Sequence, residues 1–239
     1  MRLLVSVRDA VEARAALVGG GEIIDAKEPG AGALGPVSGD VLCAIRAVVP
    51  PEIPCSAALG DVTSREEVDR ALAHIDVPLS FVKLGFRGIT DGAHIQALLT
   101  TAIETALRLP GAPQVVAVAY ADHARMESLA PAEFPSLIAA AGASGLLVDT
   151  GCKDGQHLFD HLSPAALASL ARTLADSGAF LALGGSLDAG QLSQAGSTGA
   201  AIVGVRGAAC VGGRTGVIDE GRVRHLSDVL NAPRKFAHT

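Results

Sequence analysis

Apolar runs of five or six residues recur along the chain at 3–7, 22–27, 55–59, 81–85, 115–120, 145–150, 180–184 and 201–205. Most are nearly continuous in Val, Ile, Leu, Phe and Ala, the pattern of strands covered on both faces in a parallel sheet. The stretches between them have helical spacing, at 8–18, 41–48, 64–74, 93–109, 134–141, 164–176, 188–195 and 219–230. Strand followed by helix, eight times over, predicts an α/β protein built as a single (β/α)8 TIM barrel. The length of 239 residues agrees with the ~250 typical of that architecture.

Local signals support these boundaries. Ser64 stands three residues before Glu67, the spacing of a capping box, and Ser163-Pro164 offers an N-cap followed by proline in the first turn. Gly142 and Gly178 follow helical segments as candidate left-handed C-caps. An open doubly wound sheet is the alternative, but it calls for a glycine fingerprint after the first strand, where the chain reads Val7-Arg8-Asp9. Residues 1–239 are expected to form one catalytic domain, with a flexible tail at 231–239.

Composition narrows the function. Hydrophobic residues make up 49% of the chain, tryptophan is absent and the net charge is −6. An aliphatic, acidic protein without basic runs is a poor match for nucleic acid or an anionic membrane surface, so small molecules are the expected partners. An assembly of like subunits is left open. Cys43, Cys55, Cys152 and Cys210 lie far apart without a CxxC pair, which points to reduced thiols. The first apolar stretch is cut by charge within a few residues, so the chain is expected to be cytoplasmic.

Only four of the 19 basic residues are lysines, Lys27, Lys83, Lys153 and Lys235. The first three lie in or just after the second, fourth and sixth strands, whose C-terminal ends meet at the catalytic face of such a barrel. Strand alternation puts Asp25 and Lys27 on one face and Ile24 and Ala26 on the other; Lys83 likewise opposes Val82 and Leu84. With the apolar partners against the helices, Asp25, Lys27 and Lys83 should converge in the barrel mouth. Crowding and desolvation lower an ammonium pKa and make the amine a nucleophile or base. The competing reading is plain charge neutralisation, Asp25 by Lys27 and Asp149 by Lys153.

Gly184-Gly185-Ser186 follows the seventh strand and Arg206-Gly207, then Gly212-Gly213-Arg214, the eighth, the loops that hold phosphate in many barrels. Gly185, Ser186, Arg206 and Gly207 are the phosphate-binding candidates. The segment 29–35 is rich in glycine and reads either as a closing loop or as an ordinary turn. Tyr120 and Asp122 end the fifth strand, as proton-transfer groups or as structural ones. The histidines lack metal-ligand spacing and no GxSxG elbow occurs, so neither a metal nor a serine hydrolase is assigned, and no cofactor is called for.

The segments Ile24-Asp25-Ala26-Lys27-Glu28-Pro29, Gly60-Asp61-Val62, Val82-Lys83-Leu84-Gly85, Tyr120-Ala121-Asp122, Val148-Asp149-Thr150, Lys153-Asp154-Gly155, Leu158-Phe159-Asp160 and 204–210 together resemble the (5-formylfuran-3-yl)methyl phosphate synthase family. The resemblance runs from Leu3 to about Leu230. It implies condensation of two glyceraldehyde 3-phosphate molecules to a furan phosphate, with loss of phosphate and water, in methanofuran biosynthesis. It further implies Lys27 as the Schiff-base lysine and Lys83 as proton acceptor, with Asp25, Asp149 and Lys153 in support. Lys153 is also a candidate to receive the departing phosphate. A class I aldolase or isomerase of triose phosphates, or a non-catalytic sensor of phosphorylated metabolites, are the alternatives.

Overall fold

The computed structural model describes residues 1–232. Its centre is a closed eight-stranded parallel barrel, with strands bonded in chain order. The strands are β1 (Arg2–Val7), β2 (Ile23–Ala26), β3 (Cys55–Asp61), β4 (Phe81–Gly85), β5 (Gln114–Tyr120), β6 (Gly145–Asp149), β7 (Phe180–Leu183) and β8 (Ile202–Val205). Around it run α1 (Ala10–Val18), α2 (Gly39–Val48), α3 (Arg65–Leu72), α4 (Gly92–Ala106), α5 (Phe134–Ala141), the single turn α6 (Leu158–His161), α7 (Pro164–Asp176), α8 (Ala189–Gly196) and α9 (Glu220–Asn231). The protein is thus a (β/α)8 TIM barrel. Every expected strand lies within one or two residues of its observed limits. The turn α6 and a two-stranded ribbon, β9 (Cys210–Val211) with β10 (Val217–Ile218), were not anticipated. The tail expected beyond α9 falls mostly outside the described residues.

Alternation along each strand separates two cores. The outward set, including Leu3, Val5, Ile24, Val82, Leu84 and Val148, packs against the helices. The inward set, including Leu4, Ile23, Val116, Val118, Leu147, Ala182 and Ile202, fills the barrel. Helix ends follow the local chemistry: Asp9, Ser64, Ser163 and Asp219 each accept an N–H of the first turn, and Gly142 takes the left-handed conformation that closes α5. The capping box at Ser64 is only half formed. Glu67 turns instead to Thr63, whose N–H and hydroxyl both donate to its carboxylate, because that residue presents two donors in one place. No helix among the described residues is long and apolar enough to cross a membrane.

Candidate active site

The barrel opens at the C-terminal ends of its strands into a cavity of about 250 Å³. Its lower walls are apolar, formed by Leu4, Val116, Leu147, Ala182 and Ile202. Phe81 and Phe180, the first residues of β4 and β7, meet edge to face at 5.6 Å beneath them. Small residues on the inward faces, Ala182 and Gly204 among them, leave this space open. Polar and charged groups stand above it.

Asp25 is fully buried below the rim. The register of β2 pairs it with Ser6 on one side and Ser56 on the other. Both hydroxyls therefore face it, Ser6 donating to Oδ2 at 2.8 Å and Ser56 to Oδ1 at 2.7 Å. Lys83 completes the set, its Nζ 2.6 Å from Oδ1. A buried carboxylate is costly without such partners, and here three donors hold it. Of the competing neutralisation reading, the Asp25–Lys27 half does not hold, since Lys83 occupies that place, whereas the Asp149–Lys153 half does.

Lys27 is the freest of the lysines at the mouth. It is 9% exposed and forms no ion pair among the described residues. Burial lowers its pKa from 10.5 to about 8; Asp149 opposes the shift and Lys83 adds to it. A useful fraction of neutral amine near pH 8 is the property that imine chemistry requires.

Asp149, at the end of β6, faces Lys27 from across the barrel. Burial alone would raise its carboxyl, but Lys153, Lys27 and the Thr150 N–H outweigh that and hold it below the usual carboxylate range. Gly184 allows the approach, because a Cβ there would press on the Asp149 carboxylate at 3.2 Å. Lys153 donates to Asp149 Oδ1 at 3.0 Å, to the Thr150 carbonyl at 2.6 Å and to the Thr150 hydroxyl at 3.1 Å. An ammonium has three N–H donors, so these contacts saturate it and leave it poorly suited to receive a departing phosphate.

Tyr120 and Asp122 prove to have separate partners. Tyr120 is buried and donates to Asp61 Oδ1 at 2.6 Å; burial first, then Asp61, pushes its phenol up, so it acts as a hydrogen-bond donor and stays protonated. Gly85 makes room, since a side chain there would strike both members of that pair. Asp122 accepts the N–H groups of Gly151 and Cys152 at 2.7 and 2.8 Å, and so shapes the loop that carries Lys153.

At the phosphate end, Gly185 and Ser186 both have positive φ, 98° and 56°. For serine this left-handed backbone is unusual, and it accompanies a loop whose Gly185 and Ser186 N–H groups have no backbone acceptor among the described residues. Arg206 departs from expectation. Its Nε donates to the Arg214 carbonyl, Nη1 to Ser6 O and Glu12 Oε2, and Nη2 to Glu12 Oε1 and Gly216 O. All five N–H groups are engaged, so the buried Arg206–Glu12 pair welds β8 to α1 and has no donor left for phosphate.

Sequence reasoning assigned no role to Ser6, Ser56, Glu12, Asp61 or Arg214. The two serines carried a usable signal, a hydroxyl at an inward position of an otherwise apolar strand. Glu12 and Asp61 carried none, because their partners are remote in the chain.

A lysine cluster stands over an apolar chamber at the C-terminal mouth of a closed barrel, flanked by an amide-rich loop, in the place where the enzymes of the (β/α)8-barrel class carry their active sites. The match to known proteins is more particular. The model of the 4-HFC-P synthase family fits residues 3–227, and the chain belongs to that family. It is 33% identical to the (5-formylfuran-3-yl)methyl phosphate synthase of Methanothermobacter thermautotrophicus, with 97% of this chain and all of that protein covered. The synthase of the same name from Methanocaldococcus jannaschii is 34% identical, over 96% of this chain and 99% of that one. Among solved structures, phosphoribosyl anthranilate isomerase from Thermus thermophilus superposes with a TM-score of 0.66 at 15% identity, covering 96% of this chain and 98% of its own. The 3-hexulose-6-phosphate synthase of Salmonella typhimurium gives 0.63 at 20% identity, with the same coverage. These two likenesses establish the fold.

Proposed function

We propose that this protein condenses two molecules of glyceraldehyde 3-phosphate into (5-formylfuran-3-yl)methyl phosphate, through an imine on Lys27 and with loss of phosphate and water, as a carbon–oxygen lyase of methanofuran biosynthesis. The observation that carries the reading is the buried, unpaired Lys27 with a pKa near 8, set beside two lysines that have carboxylate partners. The full-length similarity to proteins named for this product supports the choice of substrate.

In this scheme the neutral Lys27 amine adds to a triose aldehyde, and loss of water gives an iminium. Its positive nitrogen draws electrons from the neighbouring C–H bond, and Lys83 accepts that proton after passing its own to Asp25 or to solvent. The enamine expels the phosphate of the bound triose, and condensation with the second triose follows. Ring closure and dehydration complete the furan, and hydrolysis returns Lys27. The Asp149 carboxylate, held in place by Lys153, stabilises the iminium and exchanges protons with the hydroxyls that leave as water. The retained phosphate sits on the N–H groups of Gly185, Ser186 and Gly207. The apolar chamber receives the flat furan and disfavours the return of water to it.

The direct test is borohydride reduction of the protein incubated with glyceraldehyde 3-phosphate, followed by peptide mass mapping and ultraviolet detection of the furan aldehyde. An adduct on Lys27, lost in Lys27→Ala, together with the furan product is the expected result. An adduct without furan would move the protein to the aldolases, and no adduct on any lysine would refute the imine mechanism.

A further inference from the structure

Two trioses bring two phosphates into one chamber, and the amides of Gly185, Ser186 and Gly207 account for one. Five cationic side chains line the cavity: Lys27, Lys83, Lys153, Arg206 and Arg214. Lys83 is paired with Asp25. Lys153 is saturated by Asp149 and Thr150, and Arg206 by Glu12 and three carbonyls. Lys27 must stay free for the carbonyl carbon.

Arg214 differs from all of these. It lies in the turn between β9 and β10, beside Gly207, and its side chain spans the mouth to the loop after β2. There Nη1 donates to the Pro29 carbonyl at 2.6 Å and Nη2 to the Gly32 carbonyl at 2.5 Å. These acceptors orient the planar fork without neutralising it, and Arg214 has no carboxylate partner among the described residues. Three of its five N–H groups remain undirected. A half-buried guanidinium, aimed over a substrate cavity and left without a counter-ion, is an incomplete ion pair, since charges removed from water are ordinarily matched. Its own loop also flanks the cradle proposed for the retained phosphate.

We propose that Arg214 binds the phosphate that departs, completing the ion pair with the phosphate of the Lys27-bound triose and stabilising the negative charge that grows as the bond breaks; this rests on the condensation reading. In that step the α-proton has gone to the base and its electron pair lies in the enamine. The pair moves to form the new C–C double bond, the C–O bond to phosphate breaks, and its electrons leave on the phosphate oxygen. No oxidant or reductant is involved. Because Arg214 also holds Pro29 and Gly32, arrival of the anion is coupled to the loop that carries Leu34 over the chamber.

The test compares Arg214→Met and Arg214→Lys with the parent protein, using borohydride trapping with mass analysis alongside steady-state kinetics. Loss of charge-assisted contacts to phosphate should raise KM for glyceraldehyde 3-phosphate about tenfold or more in Arg214→Met. It should also shift the trapped Lys27 adduct toward the form that still carries phosphate. Arg214→Lys, which keeps the charge, should recover part of the elimination. Unchanged KM and an unchanged adduct in Arg214→Met would overturn the proposal while leaving the condensation reading intact. Equal failure of the Lys and Met variants, with the same adduct mass as the parent, would assign Arg214 to holding the loop alone. An absence of any Lys27 adduct in the parent would remove the condensation reading, and this proposal with it.

Discussion

Lys83 Nζ lies 2.6 Å from Asp25 Oδ1, while Lys27, two residues beyond Asp25 on the same inward row, has no carboxylate at that range among the described residues. The pairing gives chemically identical side chains different duties. Lys83 is anchored to the Asp25 carboxylate in a network that includes Ser6 and Ser56. Lys27 is left desolvated and nucleophilic.

Asp25→Asn should therefore be destabilising out of proportion to its size. It strands the Lys83 ammonium in the barrel, and breaking a buried pair in this way costs about 3–5 kcal/mol. Urea denaturation measures it. The double change Asp25→Asn with Lys83→Met should recover much of the stability and none of the activity; a stable Asp25→Asn protein would contradict the structural weight given to the pair.

The Lys27 pKa of about 8 sets a pH dependence. Imine formation, followed by the rate of borohydride-trapped adduct, should rise with pH and level off above about 8, falling roughly tenfold per pH unit well below it. Stability follows the same group. Between about pH 8 and 10.5 the unfolded lysine holds a proton that the folded one has lost, so this term raises stability as pH increases through that window. Its full span is roughly 3 kcal/mol. A rate that stays flat from pH 6 to 9 would argue against a depressed Lys27.

Glu12→Gln removes the carboxylate from a fully bonded Arg206. A loss of about 3–5 kcal/mol in stability is expected, with KM for the phosphorylated substrate nearly unchanged, because Arg206 has no free donor to offer an anion. A large rise in KM without a stability loss would restore Arg206 to the phosphate site.

Asp122→Ala leaves the Gly151 and Cys152 N–H groups without their acceptor. The loop should lose its definition, and with it the three-way hold on Lys153. Turnover is expected to fall about tenfold or more with a modest stability cost of about 1–3 kcal/mol. Asp122→Asn, which keeps one acceptor oxygen, should lie between. Full turnover in the alanine variant would detach this loop from the chemistry.

Much of the architecture was legible in short stretches of chain. The caps at Ser64, Ser163 and Gly142 lie where local geometry requires them. Strand parity alone put Asp25, Lys27 and Lys83 on the inward face. Partner choice was less legible. Tyr120 bonds to Asp61, 59 positions away, and not with its neighbour Asp122. Arg206 reaches Glu12 across 194 positions, so the arginine that looked ready for phosphate is a structural tie. Arg214 stood out with its glycines after the eighth strand but received no role, because a turn rich in glycine gives no sign that its side chain reaches Pro29.

The sequence by itself determined the eight strand–helix units, the inward rows of side chains and the gathering of rare lysines at strand ends, because each follows from interactions within a few residues. Only the tertiary structure decided which lysine is paired and, among the described residues, which lysine is free and which arginine lacks a counter-ion. Barrel closure brings β8 against β1 and sets β2 opposite β6, and the charge of a buried group is governed by neighbours through space, whose positions along the chain carry no local signal.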